Sequence, residues 1–573
     1  MFNQNYLTKA VLDNKIITPA DLKKIKEELK NGNVSLEDYL LKQHLATADV
    51  LYDLIAKQLN LPFIDLKNVL IRKDILLAIP EPIAQTHQIV AFDKDDHSLK
   101  IATTDPEDLQ TFEFLEKKFG LKLDINLTTP DSIREVLKQY HKSLKAEFAE
   151  LTKEDKPEAG NDLQKMAEDL PIIRIVDTLL EYAIFERASD IHIEPTETEV
   201  IVRYRIDGVL RDVMTLPKAV QAGLTARIKI LSNLKLDEHR LPQDGRFKIK
   251  TKEYEFSFRV SIIPVFDGEK IVMRLLQESG QILTLEQLGF QKSCLTLVKR
   301  NVSKPHGMIL VTGPTGSGKT TTLYSVLNVL NTPEVNISTI EDPIEYRMPR
   351  INQSQVSPRT GFTFAAGLRS LLRQDPNIIM VGEIRDMETA EIAIHAAMTG
   401  HLVLSTLHTN DAVGTLPRLL DMGVAPFLVS STVNLIIAQR LVRKICQNCI
   451  ASYQLTRKNI EDISTQLDLE ALLANMTREG AISSTKQKME TMLFYRGKGC
   501  KQCNQEGYRG RIGIYEILEV DDKVANLILN RAPSQELLKA ALDQGMLTML
   551  DDGFIKAKSG ITTIEEVMRV TRE

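Results

Sequence analysis

Met308-Ile309-Leu310-Val311-Thr312-Gly313-Pro314-Thr315-Gly316-Ser317-Gly318-Lys319-Thr320-Thr321-Thr322-Leu323-Tyr324 is the stretch from which the fold is read. Met308 to Thr312 predict a buried strand, the glycine-rich octet a loop, and the residues after it a helix. That order is the context a phosphate-binding loop requires. Its glycines let backbone N–H groups converge on phosphate, and the helix N-terminus adds positive potential. The spacing places Gly313, Pro314, Thr315, Gly316, Ser317, Gly318, Lys319, Thr320 and Thr321 around a nucleotide. Lys319 would reach its β and γ phosphates, and Thr320 would ligate Mg²⁺.

Three more segments extend this reading. Asn377-Ile378-Ile379-Met380-Val381-Gly382-Glu383 is an apolar strand that delivers an acid at its C-terminal end. Glu383 there is either a Mg²⁺ ligand, direct or through water, or an ordinary surface acid behind a core strand. Ile337-Ser338-Thr339-Ile340-Glu341-Asp342-Pro343-Ile344-Glu345 is a second strand ending in acids, where a carboxylate could deprotonate an attacking water. His401-Leu402-Val403-Leu404-Ser405-Thr406-Leu407-His408 is a third, with a histidine at each end. A lone histidine is usually structural, but one at a strand tip beside a phosphate loop could sense the γ-phosphate.

The chain of 573 residues has room for about three to five domains. Its 43% hydrophobic and 26% charged residues exclude collagen-like, low-complexity and disulfide-dense classes. With 72 basic against 77 acidic residues, a general nucleic-acid coat is excluded as well. The first residues show no basic segment leading into an apolar core, so no signal peptide is expected. The longest charge-free run, Met422 to Gln439, is too polar for a spanning helix and reads as protein core.

Residues 1–145 alternate helical and strand-like segments. Thr18-Pro19-Ala20-Asp21 and Thr47-Ala48-Asp49 look like capped helix starts. Further helices are expected over Asp21–Leu29 and from Ser35, so two similar helical units precede strands at Ile89–Phe92 and Leu99–Ala102. Residues 146–169 read as a charged linker. Residues 170–283 read as a small α+β domain, with Asp207-Gly208 turning Val200–Ile206 into Val209–Val213. From 284 to 573, apolar strands alternate with helices, the pattern of a parallel sheet.

Four of the five cysteines form two C-x-x-C pairs, Cys446/Cys449 and Cys500/Cys503. Each pair fits two corners of a Zn²⁺ tetrahedron, and a redox dithiol is the alternative. Cys294 reads as a buried thiol, and the segment between the pairs as an exposed arm. Asp190, His192 and Glu194 share one strand face and fit either a metal triad or a structural polar face.

Taken together, Gly313–Thr320, Ile340–Tyr346, Met380–Asp386 and His401–Thr409 resemble the Walker A, Asp-box, Walker B and His-box segments of the secretion ATPase superfamily. The likeness is to the hexameric ATPases of type II secretion and type IV pilus assembly. Ala188–Pro195, Arg205–Leu210 and Leu241–Arg246 are similar to signatures of that family's second domain. The resemblance implies an α/β fold in which a RecA-like P-loop motor domain follows a small α+β, PAS-like domain and an N-terminal mixed α/β domain. It implies Glu341 as catalytic base, Glu383 as Mg²⁺ and water ligand, and His408 as γ-phosphate contact. It also implies that the polar strand face is structural.

Phosphoryl transfer gains from an arginine on the developing charge, often supplied in trans. The resemblance gives that part to Arg259 and Arg274 of the second domain, reaching a neighbour's nucleotide in a closed homohexamer. Arg369 and Arg373, four residues apart on a helix, would line the phosphates. Surface salt bridging is the alternative for each. A tetracysteine zinc element is implied for extension and secretion motors.

In some relatives the N-terminal domain binds cyclic di-GMP through an Arg-Leu-Gly start. Asn5-Tyr6-Leu7 and Val34-Ser35-Leu36 stand in those places, so a scaffold for a membrane-bound partner is expected instead. The function implied is a cytoplasmic ATPase, attached to the inner membrane through a platform protein and powering pilus assembly or type II secretion. A DNA translocase or conjugation-type motor is disfavoured by the acidic balance and the lack of a basic stripe, and no nucleic-acid partner is expected. A nucleotide-gated scaffold is disfavoured by Glu341 and Glu383.

Overall fold

The chain divides into two units, Met1–Leu276 and Gln277–Glu573. A computed structural model describes residues 4–14, 16–19, 21–22, 25, 36–43, 45–67, 69–95, 97–137, 139–140, 166–167, 169–250, 255–277, 282–465, 468–500, 503 and 505–572. Most of the helix expected over Asp21–Leu29, the helix start at Ser35 and most of the 146–169 linker lie outside these residues.

In the first unit, the expected Thr caps are present. Thr47 accepts from the Val50 N–H ahead of helix Ala48–Leu59, and Thr18 accepts from the Asp21 N–H. Leu7, Val11, Leu40, Leu51 and Ile55 form their shared core. A three-stranded sheet follows: β1 (Ile89–Lys94), β2 (Ser98–Thr103) and β3 (Lys122–Leu127). β1 and β2 are antiparallel, while β2 and β3 are parallel across helix Leu109–Phe119.

The remainder of this unit is a six-stranded antiparallel sheet. Its strands are β4 (Asp190–Pro195), β5 (Glu199–Ile206), β6 (Val209–Pro217), β7 (Gln243–Lys250), β8 (Glu255–Val265) and β9 (Gly268–Gln277). Their order is β6-β5-β4-β9-β8-β7. Asp207 and Gly208 both take positive φ, 49° and 89°, which is the turn that matches the twist of a two-residue hairpin.

One hydrophobic cluster runs from Leu66–Tyr140 into Ile172–Met273. Helix Leu170–Phe185 is therefore shared by both parts of the unit. Polar contacts reinforce that seam. Lys118 pairs with Glu181 at 2.5 Å. The His87 ring is 11% exposed, bonds Asp108 at 2.7 Å, and lies 4.0 Å from Glu186. Burial pushes the His87 pKa down, but the two carboxylates outweigh it and hold the pKa at about 9.

The second unit contains the parallel sheet. Its strands are β10 (Gly307–Thr312), β11 (Ile337–Glu341), β12 (Ile351–Gln355), β13 (Ile378–Val381), β14 (Leu402–Leu407) and β15 (Val433–Ile445). A two-stranded hairpin, β16 (Ile450–Gln454) with β17 (Leu493–Gly497), precedes β18 (Tyr508–Glu519). The seven-stranded order is β12-β11-β13-β14-β10-β15-β18, parallel except for β18. Every residue of β10, β13 and β14 is buried, as expected for strands covered on both faces.

The expected exposed arm between the cysteine pairs is corrected by the structure. Helices Arg457–Ser464 and Leu469–Arg478 bury Ile463, Leu472 and Met476 in the main core, with Met489 and Met492. Their apolar residues recur at helical spacing and must be covered despite the polar residues between them. The C-terminal helices are tied to β18 by a buried ion pair. Lys556 meets Asp552 at 2.6 Å, and Asp552 accepts the Tyr515 N–H at 2.8 Å and the Gln291 amide at 2.7 Å. Among the described residues, no helix is long and apolar enough to cross a membrane.

The His87 contact has a pH signature. Unfolded, the ring loses its proton near 6.5, and folded it keeps it to about 9. Its stabilisation is complete below pH 6.5 and is lost as pH rises through 9. His87→Gln should cost about 2–3 kcal/mol at pH 6.5. The difference in thermal midpoint from the native chain should close by pH 10.

Candidate active site and metal centre

Parallel strands put their C-terminal ends on one edge of a sheet, where α/β proteins bind ligands. Here that edge carries the loop after β10, Glu341 at the end of β11, Glu383 after β13 and His408 after β14. Counting strands at about 4.8 Å each, β13 lies about 10 Å from β10, and β11 about 14 Å. Glu383 and His408 are therefore nearer the loop's strand than Glu341.

The loop itself depends on glycine. Gly313, Gly316 and Gly318 have φ of 142°, 81° and 90°, conformations that side chains rarely adopt. Lys319, the first residue of helix Lys319–Leu330, curls back to donate to the Gly313 and Pro314 carbonyls at 2.9 and 3.0 Å. Burial pushes its pKa down, and the Glu383 carboxylate opposes that. The Ser317 hydroxyl is buried with no hydrogen-bond partner. An anion in this cradle would meet a helix N-terminus, an ammonium and a spare hydroxyl.

Glu383 joins the loop's charge to the neighbouring strand. It lies 2.7 Å from Arg385 and 3.4 Å from the His408 Nε2. His408 is held in place through its neighbour Thr409, whose N–H donates to the Thr312 hydroxyl at 2.9 Å. The tips of β14 and β10 are thereby locked together. At the other end of β14, His401 bonds the Ala396 carbonyl at 2.9 Å, an ordinary structural histidine.

Glu341 is 3% exposed and accepts from three donors. Thr339 donates at 2.5 Å, Gln353 at 3.2 Å, and the Tyr324 hydroxyl makes a third bond. Burial raises its pKa, and those hydrogen bonds pull it back. Each of its oxygens already has a protein donor. The Oε1 accepts from two donors and the Oε2 from one, which leaves the Oε2 a lone pair for a further donor. Tyr324, Gln353 and Arg385 escaped the sequence reading. Arg385 could have been found, because it is the next charge after Glu383. Tyr324 and Gln353 had no local signal, since only the sheet brings them to Glu341.

The candidate arginines have separate environments. Arg369 pairs with Glu388 at 2.5 Å, and Arg373 caps the Arg369 carbonyl at 2.9 Å. The structure does not bring this pair together with the loop. In the other unit, Arg274 bonds Asp190 at 2.9 Å and is 53% exposed. Arg259 is exposed on β8 directly opposite Arg246 of β7. Like charges directly opposite each other on paired strands are destabilising. Arg246 was missed as a candidate because the pairing register is not visible in sequence.

The Asp190–His192–Glu194 face is satisfied by cations. Asp190 takes Arg274 and Arg205, while Glu194 takes Arg203 at 2.7 Å and Lys270 at 2.8 Å. This is the structural polar face rather than a metal triad. The four cysteines do converge, with all their sulfurs within 4.8 Å of one another. Cys446–Cys500, Cys449–Cys503 and Cys500–Cys503 are 3.7, 3.8 and 3.6 Å apart. A tetrahedral zinc with bonds of about 2.3 Å needs sulfurs about 3.8 Å apart, so the cluster fits a metal of that kind. Gly497 and Gly507 cross so closely that a Cβ on Gly497 would meet the Gly507 carbonyl at 2.0 Å. Cys294 is buried, and that burial raises its pKa to about 12.

Comparison with known proteins agrees with this geometry. The profile described as type II/IV secretion system protein matches residues 165–569, and that of the MshEN domain matches residues 59–147. The type IV pilus assembly ATPase PilB of Myxococcus xanthus is 41% identical over 573 residues, covering 98% of each chain. The type II secretion system ATPase E of Vibrio cholerae is 45% identical over 414 residues, 72% of this chain and 78% of that one. The X-ray structure of the Legionella pneumophila ATPase DotB aligns with TM-score 0.50 at 22% identity, covering 70% of this chain and 95% of that one. That structure supports the RecA-like fold alone. The fold, the phosphate loop and these likenesses together place the chain in the type II/IV secretion system protein family, as an ATP-hydrolysing P-loop enzyme.

Proposed function

We propose that this chain is the ATPase of type IV pilus assembly, working as a cytoplasmic homohexamer held at the inner membrane by a platform protein. The observation that carries this reading is the reach of the likeness. Pilus assembly ATPases of Myxococcus xanthus and Acinetobacter baylyi align over 98% and 99% of the chain. The type II secretion ATPase of Vibrio cholerae leaves more than a quarter of it unaligned. The type II secretion motor remains the second reading, because its aligned part is the more identical. A host lacking its own pilus assembly ATPase should regain surface pili when given this chain. Restored protein secretion without pili would move the assignment to type II.

Within the site, Gly313–Thr321 hold the triphosphate, and Lys319 exchanges its loop carbonyls for phosphate oxygens. The Thr320 hydroxyl and the Glu383 carboxylate are the oxygen donors a hard Mg²⁺ ion selects. That ion, once bound, neutralises charge on the β and γ phosphates. His408, already beside Glu383, contacts the γ-phosphate. Glu341 acts as base, its carboxylate oriented by Tyr324, Thr339 and Gln353. Arg369 and Arg373 reach phosphate only by leaving Glu388 and their own helix. Arg259 and Arg274 act on a neighbour's nucleotide, with Arg246 beside Arg259. The cysteine quartet holds structural zinc. Cyclic di-GMP is not expected to bind the N-terminal domain.

Three outcomes test these roles. Glu341→Gln and Glu383→Gln should each lower phosphate release by about 10²–10⁴-fold while leaving ADP binding intact. Full turnover in Glu341→Gln would move the base elsewhere. Arg274→Ala should abolish hydrolysis with nucleotide binding and assembly preserved, and unchanged turnover would sink the trans reading. Elemental analysis should find one zinc per chain, lost in Cys449→Ser together with a lower thermal midpoint.

A further inference from the structure

Strand β15 runs Leu435-Ile436-Ile437-Ala438-Gln439 alongside β10. Gln439 is 1% exposed, an amide among apolar neighbours. Burying an amide is costly unless both its ends are bonded. Here both are, and both bonds go to the nucleotide loop and its helix. The Nε2 donates to the Ser317 carbonyl at 2.7 Å, and the Oε1 accepts from the Thr322 hydroxyl at 2.7 Å.

The consequence follows from peptide geometry. In a trans peptide the C=O and the next N–H point to opposite sides. Drawing the Ser317 carbonyl toward β15 turns the Gly318 N–H the other way, away from β15. Gly318 takes φ of 90°, which favours glycine, and a Cβ there would sit tightly, 3.2 Å from the Gln439 Nε2. At the other end of the loop, β15 passes so close that a Cβ on Gly313 would meet the backbone carbonyl of residue 439 at 2.4 Å. The Ser317 carbonyl, which can only accept, decides which way the amide faces, and the Thr322 hydroxyl serves as donor to the other end. Reversed, the Oε1 would oppose the Ser317 carbonyl, oxygen against oxygen.

We propose that Gln439 is a positioning residue for ATP, presetting the Gly318 N–H for phosphate through the Thr322–Gln439–Ser317 bridge. This rests on the reading of Gly313–Thr320 as the nucleotide site. The bridge acts on the loop before the nucleotide arrives, so it governs binding rather than the chemical step.

The test uses the full chain. Gln439→Met keeps the volume and removes the amide. The KM for ATP and the Kd for ADP should each rise about tenfold, with kcat within about twofold. Thr322→Val, which cuts the other end of the bridge, should raise KM in the same direction. It should add nothing on top of Gln439→Met, because both changes break one unit. Unchanged KM and Kd in Gln439→Met, or a lowered thermal midpoint with KM unmoved, overturns the proposal. If Gln439→Met does not fold, an unchanged KM in Thr322→Val overturns it alone. Lys319→Ala separates the two levels. Intact ADP binding there defeats the nucleotide-site reading itself, whereas lost binding there with normal Gln439→Met defeats this proposal only.

Discussion

The parallel pairing of β10 between β14 and β15 is the constraint on which the site depends. A strand buried on both faces and flanked on both edges has little freedom to move. The loop that leaves it therefore starts from a fixed point at the centre of the sheet edge. The same parallel direction brings Glu341, Glu383 and His408 to that edge at the ends of the adjacent strands β11, β13 and β14. Thr312 and Thr409 then lock the two central strand tips against each other.

Charge is handled differently at different depths. At the sheet edge, Lys319, Glu383, Arg385 and His408 form a partly open group whose partners can exchange when phosphate arrives. Behind it, Glu341 is sealed by Tyr324, Thr339 and Gln353. Deeper still, Lys556 and Asp552 are paired and joined to backbone groups of β18. Such pairs are costly to break because one charge is left unsolvated. They hold the C-terminal helices to the sheet, while the four cysteines gather where the β16–β17 hairpin leaves β15 and enters β18.

The first unit follows a related logic. Its two sheets share the apolar helix Leu170–Phe185, and ionic contacts at His87 and Lys118 close the seam. The antiparallel sheet leaves arginines on exposed positions of β7, β8 and β9. Arg246 and Arg259 are register partners there.

The phosphate loop, the strand–helix alternation, the Asp207-Gly208 turn, the Thr caps and the paired cysteines were all legible in the amino-acid sequence. Each is encoded within a few neighbouring residues, by glycine freedom, apolar periodicity or ligand spacing. Strand β7 was not legible, because Phe247 is its one deeply buried side chain and the rest reads as a charged loop. The helices between the cysteine pairs were read as an arm, because scattered Leu and Met residues among polar ones do not reveal what covers them. The partners of Glu341, the Arg246–Arg259 pairing and the grip of Gln439 on the loop were decided by tertiary structure alone. Ser317 and Gln439 stand 122 residues apart, and only the placement of β15 beside β10 brings them within a hydrogen bond.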